Sequence, residues 1–154
     1  MQPEAPDMIR YLRSVSPQAV MLTNTNGHYL GTPQRREAVL RSGLDGLVFS
    51  IDGSSPETYA IYRRKGNFMQ VMDNLRELIE QRGLLGLSRP RIEWQYLLFN
   101  WNDSDEELER ARRMARDAGV DRLFFRPART PLSGISWRYL PFTRRYRRIR
   151  PELG

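Results

Sequence analysis

The strongest constraint on this chain is a repeated unit: a short apolar run, a polar turn, then a segment with helical spacing. Ala19-Val20-Met21-Leu22 leads into Thr23-Asn24-Thr25-Asn26-Gly27, which reads as a strand followed by turn residues. Thr32-Pro33 then supplies an N-cap with proline at the first helical position, where its missing N–H is harmless, and Gly43 is a stop. The unit recurs with Leu47-Val48-Phe49-Ser50-Ile51, closed by Asp52-Gly53, a short helix from Ser55-Pro56, and a long amphipathic helix marked by Phe68, Val71, Met72, Leu75, Leu78 and Ile79. After a loop over residues 83–90, Ile92, Trp94, Tyr96 and Leu98 alternate with Glu93 and Gln95 as a third strand. Ser104 with Glu107 predicts a capping box for a helix lined by Leu108, Ala111, Ala115 and Ala118 and ended by Gly119; Leu123-Phe124-Phe125 is the fourth strand. Met8, Ile9, Leu12 and Val15 predict an opening helix that ends before Pro17.

Strands spaced by such helices pair in parallel through right-handed crossovers. The expected fold is α/β: an open, partial (β/α) barrel with about four parallel strands and flanking helices, with an open doubly wound sheet as the alternative. Both place ligands at the carboxyl ends of the strands. The unusual polar residues collect there, at positions 24–27, 50–53, 100–102 and 126, whereas the amino-end loops read as plain.

The 154 residues allow one domain with a tail, divided here as 1–126 and 127–154. Absence of cysteine rules out disulfides, thiolate metal sites and cysteine nucleophiles. The net charge of +7 is almost wholly arginine, with Lys65 the only lysine. Along the helices the charges are mixed, as in Glu106, Glu107, Glu109 and Arg110 followed by Arg112, Arg113 and Arg116, which makes a solvated face. No apolar run reaches membrane-spanning length, and the polar start with Glu4 and Asp7 does not read as a signal peptide. A cytoplasmic location is the expectation.

Three local patterns occur in fixed order: Thr25-Asn26-Gly27, then Ser50-Ile51-Asp52-Gly53, then Tyr59-Ala60-Ile61-Tyr62-Arg63-Arg64-Lys65-Gly66-Asn67-Phe68. With the third strand, Asn102 and Ala118-Gly119-Val120-Asp121, the set resembles the radical S-adenosylmethionine superfamily, particularly members with a SPASM-type extension, over residues 6–126. The resemblance implies that Ser50 and Asp52 lie near the ribose or amino-acid part of S-adenosylmethionine and that Arg63 pairs with its carboxylate, a match of guanidinium to carboxylate. It places Gln95 toward a ligand inside the barrel, and Asn26 at the cofactor turn. It also implies a 4Fe-4S cluster, but the family's C-x-x-x-C-x-x-C loop, its glycine-glycine-glutamate segment and the SPASM cysteines are all absent. This chain alone therefore lacks the thiolates for a cluster. The implied function is a truncated or degenerate enzyme segment, without autonomous radical catalysis, whose cluster half would reside on a second chain.

Each residue also has a plainer reading. Asn24, Asn26 and Gly27 suit a left-handed turn, Asp52-Gly53 is ordinary turn chemistry, and Arg63 begins a charge run with Arg64 and Lys65. Gln95 reads equally as a buried, satisfied amide. Lone His28 has no ligand-spaced partner, and Trp94 and Trp101 read as packing. The carboxylates Asp103, Asp105, Glu106 and Glu107 suit a helix N-terminus. In the tail, Arg138, Arg144, Arg145, Arg147, Arg148 and Arg150 stand among Trp137, Tyr139, Phe142 and Tyr146. That mixture fits a truncated end that once packed on a missing domain, a helix docked on this one, contact with a partner protein, or single-stranded nucleic acid, and the alternative function is a non-catalytic module binding through it.

Overall fold

Polar caps start the helices. The structure, a computed structural model, describes residues 2–154. Thr32 accepts from the Arg35 N–H to start α2 (Pro33–Leu40), Ser55 and Thr58 form a capping box for α3 (Pro56–Tyr62), and Asn67 starts α4 (Phe68–Leu84). Ser104 caps α5 (Asp105–Ala118), which Gly119 ends at φ 74°, a left-handed conformation that suits glycine. Preceding these is α1 (Ala5–Val15). The strands are β1 (Leu22–Thr25), β2 (Gly46–Ser50), β3 (Arg91–Leu98) and β4 (Arg122–Pro127); short 3₁₀ turns and α6 (Arg144–Ile149) make up the tail.

The first strand lies later than its apolar run predicts. Thr23, Asn24 and Thr25 are extended and pair with Leu47, Val48 and Phe49, so tertiary pairing overrides their turn character. The long helix also extends through Gly83.

All four strands are parallel, in the order β1-β2-β3-β4. Leu47, Phe49, Ile51, Ile92, Trp94, Tyr96 and Leu98 are fully buried in the core with helix residues Val71, Leu75, Leu78, Leu108 and Ala111. Residues of opposite parity, including Val48, Ser50, Glu93 and Leu97, point to the other face and are half-buried. Parallel sheets usually have both faces covered. Here the helical layer lies on one.

The amino ends are clamped rather than plain. Asp45, just before β2, accepts from the Met21 N–H at 2.8 Å and from Arg13 of α1 at 2.6 Å. Asp121, just before β4, accepts from the Ile92 N–H at 2.6 Å and from both Nη atoms of Arg82 of α4, at 2.5 and 3.1 Å. Gly43-Leu44-Asp45 and Gly119-Val120-Asp121 are thus the same device twice, each with its glycine at positive φ.

The two sheet edges differ. Beside β4, Leu153 forms a parallel bridge to Phe125 and the Gly154 N–H donates to the Phe125 carbonyl at 3.2 Å. No strand pairs the outer side of β1 among the described residues. Val20 and Leu22 there are 78% and 69% exposed. Of the four apolar residues that give α1 its periodicity, only Ile9 packs on the core; Met8, Leu12 and Val15 are exposed.

Burial pushes the Asp121 carboxyl up, but Arg82 and the Ile92 N–H outweigh it and hold it below the ordinary range. Its stabilisation is present above the unfolded value of about 3.9 and is lost as pH falls through the lower folded value. Asp121→Asn should therefore cost about 1.5–3 kcal/mol at neutral pH and flatten the acid limb of stability in urea unfolding. At high concentration the chain should self-associate through β1. Val20→Lys with Leu22→Lys should shift it toward monomer in light scattering.

Candidate functional site

A buried carboxylate organises the carboxyl ends of the strands. Glu107 Oε2 accepts from the Ser54 N–H at 3.2 Å, the Ser54 hydroxyl at 2.6 Å, and the Thr58 and Tyr96 hydroxyls at 3.2 Å each. Its Oε1 accepts from Arg110 at 3.1 Å. The predicted capping box at α5 is half formed: Ser104 accepts from the Glu107 N–H, while the Glu107 side chain reaches across to the loop after β2. Burial, followed by the nearby carboxylate, raises the Tyr96 phenol far above its usual range, so it remains a donor.

Asp52 is the second anchor. Its Oδ1 accepts from the Leu97 N–H at 3.0 Å, and its Oδ2 accepts from Arg63 Nε and Nη2 at 2.9 and 2.7 Å. Asp52 is fully buried, and burial pushes its carboxyl up against the pull of Arg63. Gly53 is required by close approach, because a Cβ there would stand 2.4 Å from the Tyr59 backbone nitrogen. Asn102, also fully buried, donates to the Asp52 and Leu97 carbonyls and accepts from the Phe99 N–H at 2.7 Å. Sequence reasoning took Glu107 as a cap and Asn102 as part of a likeness.

The five predicted site residues fall into two groups. Ser50 and Gln95 are register partners on the sheet face opposite the helical layer, where Ser50 is half-buried and Gln95 is buried at 8% exposure. Arg126 joins them, donating to Gln95 Oε1 at 3.3 Å. Asn26 and Arg63 line a separate shallow cleft of about 340 Å³ with His28, Lys65 and Gly66. Asn26 Oδ1 accepts from the His28 N–H at 3.2 Å, as a turn residue does. Asp52 lies beneath, tying Arg63 to β3.

The tail docks against the start of α5. Asp103 accepts from the Ser136 hydroxyl at 2.5 Å and from Arg138 at 2.6 Å, and Asp105 accepts from Arg145 and Arg148 at 3.2 and 2.7 Å. Arg112 meets both oxygens of Glu152 at 2.9 Å. The acidic cluster therefore serves docking as well as the helix terminus. Trp101 stacks on Phe99 at 4.5 Å, and Gly134 lies against its ring. Between the tail and the ends of β3 and β4 lies a larger cleft of about 620 Å³, lined by Leu97, Arg126, Arg129, Tyr139 and Tyr146.

The chain has no cysteine, and no group of metal-ligating side chains occurs among the described residues. The residues present therefore do not fit an iron–sulfur cluster. Ser50, Gln95 and Arg126 do bring a hydroxyl, an amide and a guanidinium together beside Val48 and Leu97 on one sheet face. No helix among the described residues is long and apolar enough to cross a membrane.

No protein-family model matches the chain. Over 74 residues, 48% of the chain, it is 30% identical to the GTP 3',8-cyclase of Petrotoga mobilis (strain DSM 10674 / SJ95), a radical S-adenosylmethionine enzyme. The chain spans about a fifth of that relative's length, 22%. Among solved structures it resembles 2,3-dimethylmalate lyase, a PEP mutase/isocitrate lyase superfamily member, with a TM-score of 0.52 and 16% identity over 80% of this chain and 42% of that one. An aldolase, QR15, aligns with a TM-score of 0.45 and 15% identity over 78% of this chain and 50% of that one. The lyase likeness agrees with a partial, barrel-like α/β fold. The cyclase match gives weak support for the radical S-adenosylmethionine superfamily link.

Glu107→Ala should strand several buried donors at once and destabilise the protein by about 3 kcal/mol or more. Glu107→Gln, which retains an acceptor oxygen, should cost less. Paired urea titrations would check the order.

Proposed function

We propose that this chain is the ligand-binding segment of a radical S-adenosylmethionine-like barrel, and that S-adenosylmethionine lies on the sheet face opposite the helices, against Ser50 and Gln95. The observation that carries the reading is the one-sided helical layer, opposite which the sheet bears Ser50, Gln95 and Arg126 at or near the carboxyl ends of its strands. In the resemblance Arg63 meets the cofactor carboxylate. Here it is held by Asp52, and it contributes from the rim with Asn26. The order of residues 25–27, 50–53 and 59–68 suggests the SPASM-bearing branch. The reading assigns residues 1–126 to the barrel segment and 127–154 to a docked brace, in a cytoplasmic protein.

The unpaired β1 edge and the exposed α1 residues Met8, Leu12 and Val15 suit a second polypeptide that adds further strand–helix units on that side. That partner would carry the cluster cysteines. When bound, the cluster and cofactor supply the radical chemistry. This chain's own residues orient the ligand: Ser50 and Gln95 hydrogen-bond it, and the helical layer shields its sheet from water on the opposite side.

Isothermal calorimetry with S-adenosylmethionine should give saturable binding. Ser50→Ala with Gln95→Ala should weaken it about tenfold, or ~1.4 kcal/mol. A flat trace with the unaltered chain, or equal affinity in the double variant, would refute this placement.

A further inference from the structure

The cleft beside Arg63 contains a feature that the S-adenosylmethionine reading does not use. Tyr59 is fully buried, yet its hydroxyl has no hydrogen-bond partner among the described residues. A buried hydroxyl left unpaired costs about 1–3 kcal/mol. The ring is packed against Phe68 at 5.5 Å and cannot swing out freely. Its oxygen lies under Gly66, where a Cβ would approach it to 2.8 Å. Both residues line the cleft, and the glycine, with no side chain, is what lies over the hydroxyl. Burial raises the phenol above its usual range, which keeps it a donor.

The rest of the lining is cationic or donating. Arg64 and Lys65 are exposed and form no ion pair with a carboxylate among the described residues, while the charge of Arg63 is matched by Asp52. His28 Nε2 accepts from the Asn67 N–H at 3.1 Å, which places the ring hydrogen on Nδ1 and adds a further donor. Two unmatched cations and several donors gather around about 340 Å³ at the carboxyl end of the sheet.

We infer that this cleft binds a phosphate group, held by Arg64, Lys65, His28 and the Tyr59 hydroxyl. Phosphate fits better than carboxylate. Its charge of up to two matches the two unpaired cations, and its tetrahedral oxygens accept from several directions. The site does not rest on S-adenosylmethionine binding, since that ligand carries no phosphate.

The test uses the full chain and inorganic phosphate at constant ionic strength, read by calorimetry and thermal unfolding. A dissociation constant on the order of 1 mM is expected, with a phosphate-dependent rise in Tm. Tyr59→Phe should unfold at the same or a higher temperature without phosphate, because an unsatisfied hydroxyl is removed, yet bind phosphate about fivefold more weakly. Lys65→Gln should weaken binding similarly. Arg113→Gln, on the distant α5 surface, should leave it unchanged. Absence of phosphate binding would overturn the proposal. So would equal weakening by Arg113→Gln, which would mark general charge attraction. A lower Tm for Tyr59→Phe without phosphate would also overturn it, since the hydroxyl would then already be satisfied. Repeating the titration with AMP separates sources: tighter binding than inorganic phosphate assigns the site to a nucleotide phosphate, and equal binding assigns it to the free ion.

Discussion

Burial on one side of the sheet governs the rest of this structure. Leu47, Phe49, Ile51, Ile92, Trp94, Tyr96 and Leu98 lie in the core beneath the helices. That asymmetry holds the strands together and puts half-buried Ser50, buried Gln95 and exposed Arg126 on the opposite face. The loops at the carboxyl ends are fixed from within, and the tail braces the one after β3 from outside. Glu107, Asp52 and Asn102 meet that need with buried hydrogen bonds spanning β2, β3 and the starts of α3 and α5.

Much of the fold was legible in the order of residues. Alternation in β3, the apolar stripe of α4, and the Thr32 and Ser55 caps lead directly to elements that form. What was not legible depends on distant contacts. Thr23 to Thr25 carry turn composition, and only pairing with β2 extends them. The periodicity of α1 announces a helix but does not say that its second apolar flank lacks a cover. Glu107 looks like a local cap, and its true donors lie 53 and 49 residues earlier in the chain, at Ser54 and Thr58.

The candidate site was legible by residue type and not by arrangement. Asn26, Ser50, Asp52, Arg63 and Gln95 all lie toward the carboxyl ends of the strands, but Asp52 takes up Arg63, which divides the set. Ser50 and Gln95 pair because strand register puts them side by side. Asn26 and Arg63 meet elsewhere because the loop after β1 faces the turn after α3. The tail shows the same limit. Its arginines were countable, while their partners Asp103 and Asp105, and the pairing of the tail's Glu152 with Arg112 of α5, became visible only in three dimensions.

Asp45 and Asp121 secure the sheet from below, far from every polar cluster above it. Foundations and workface are therefore separate. Exposed residues of the upper loops, outside the hydrogen bonds of Glu107, Asp52 and Asn102, can therefore change without disturbing those footings.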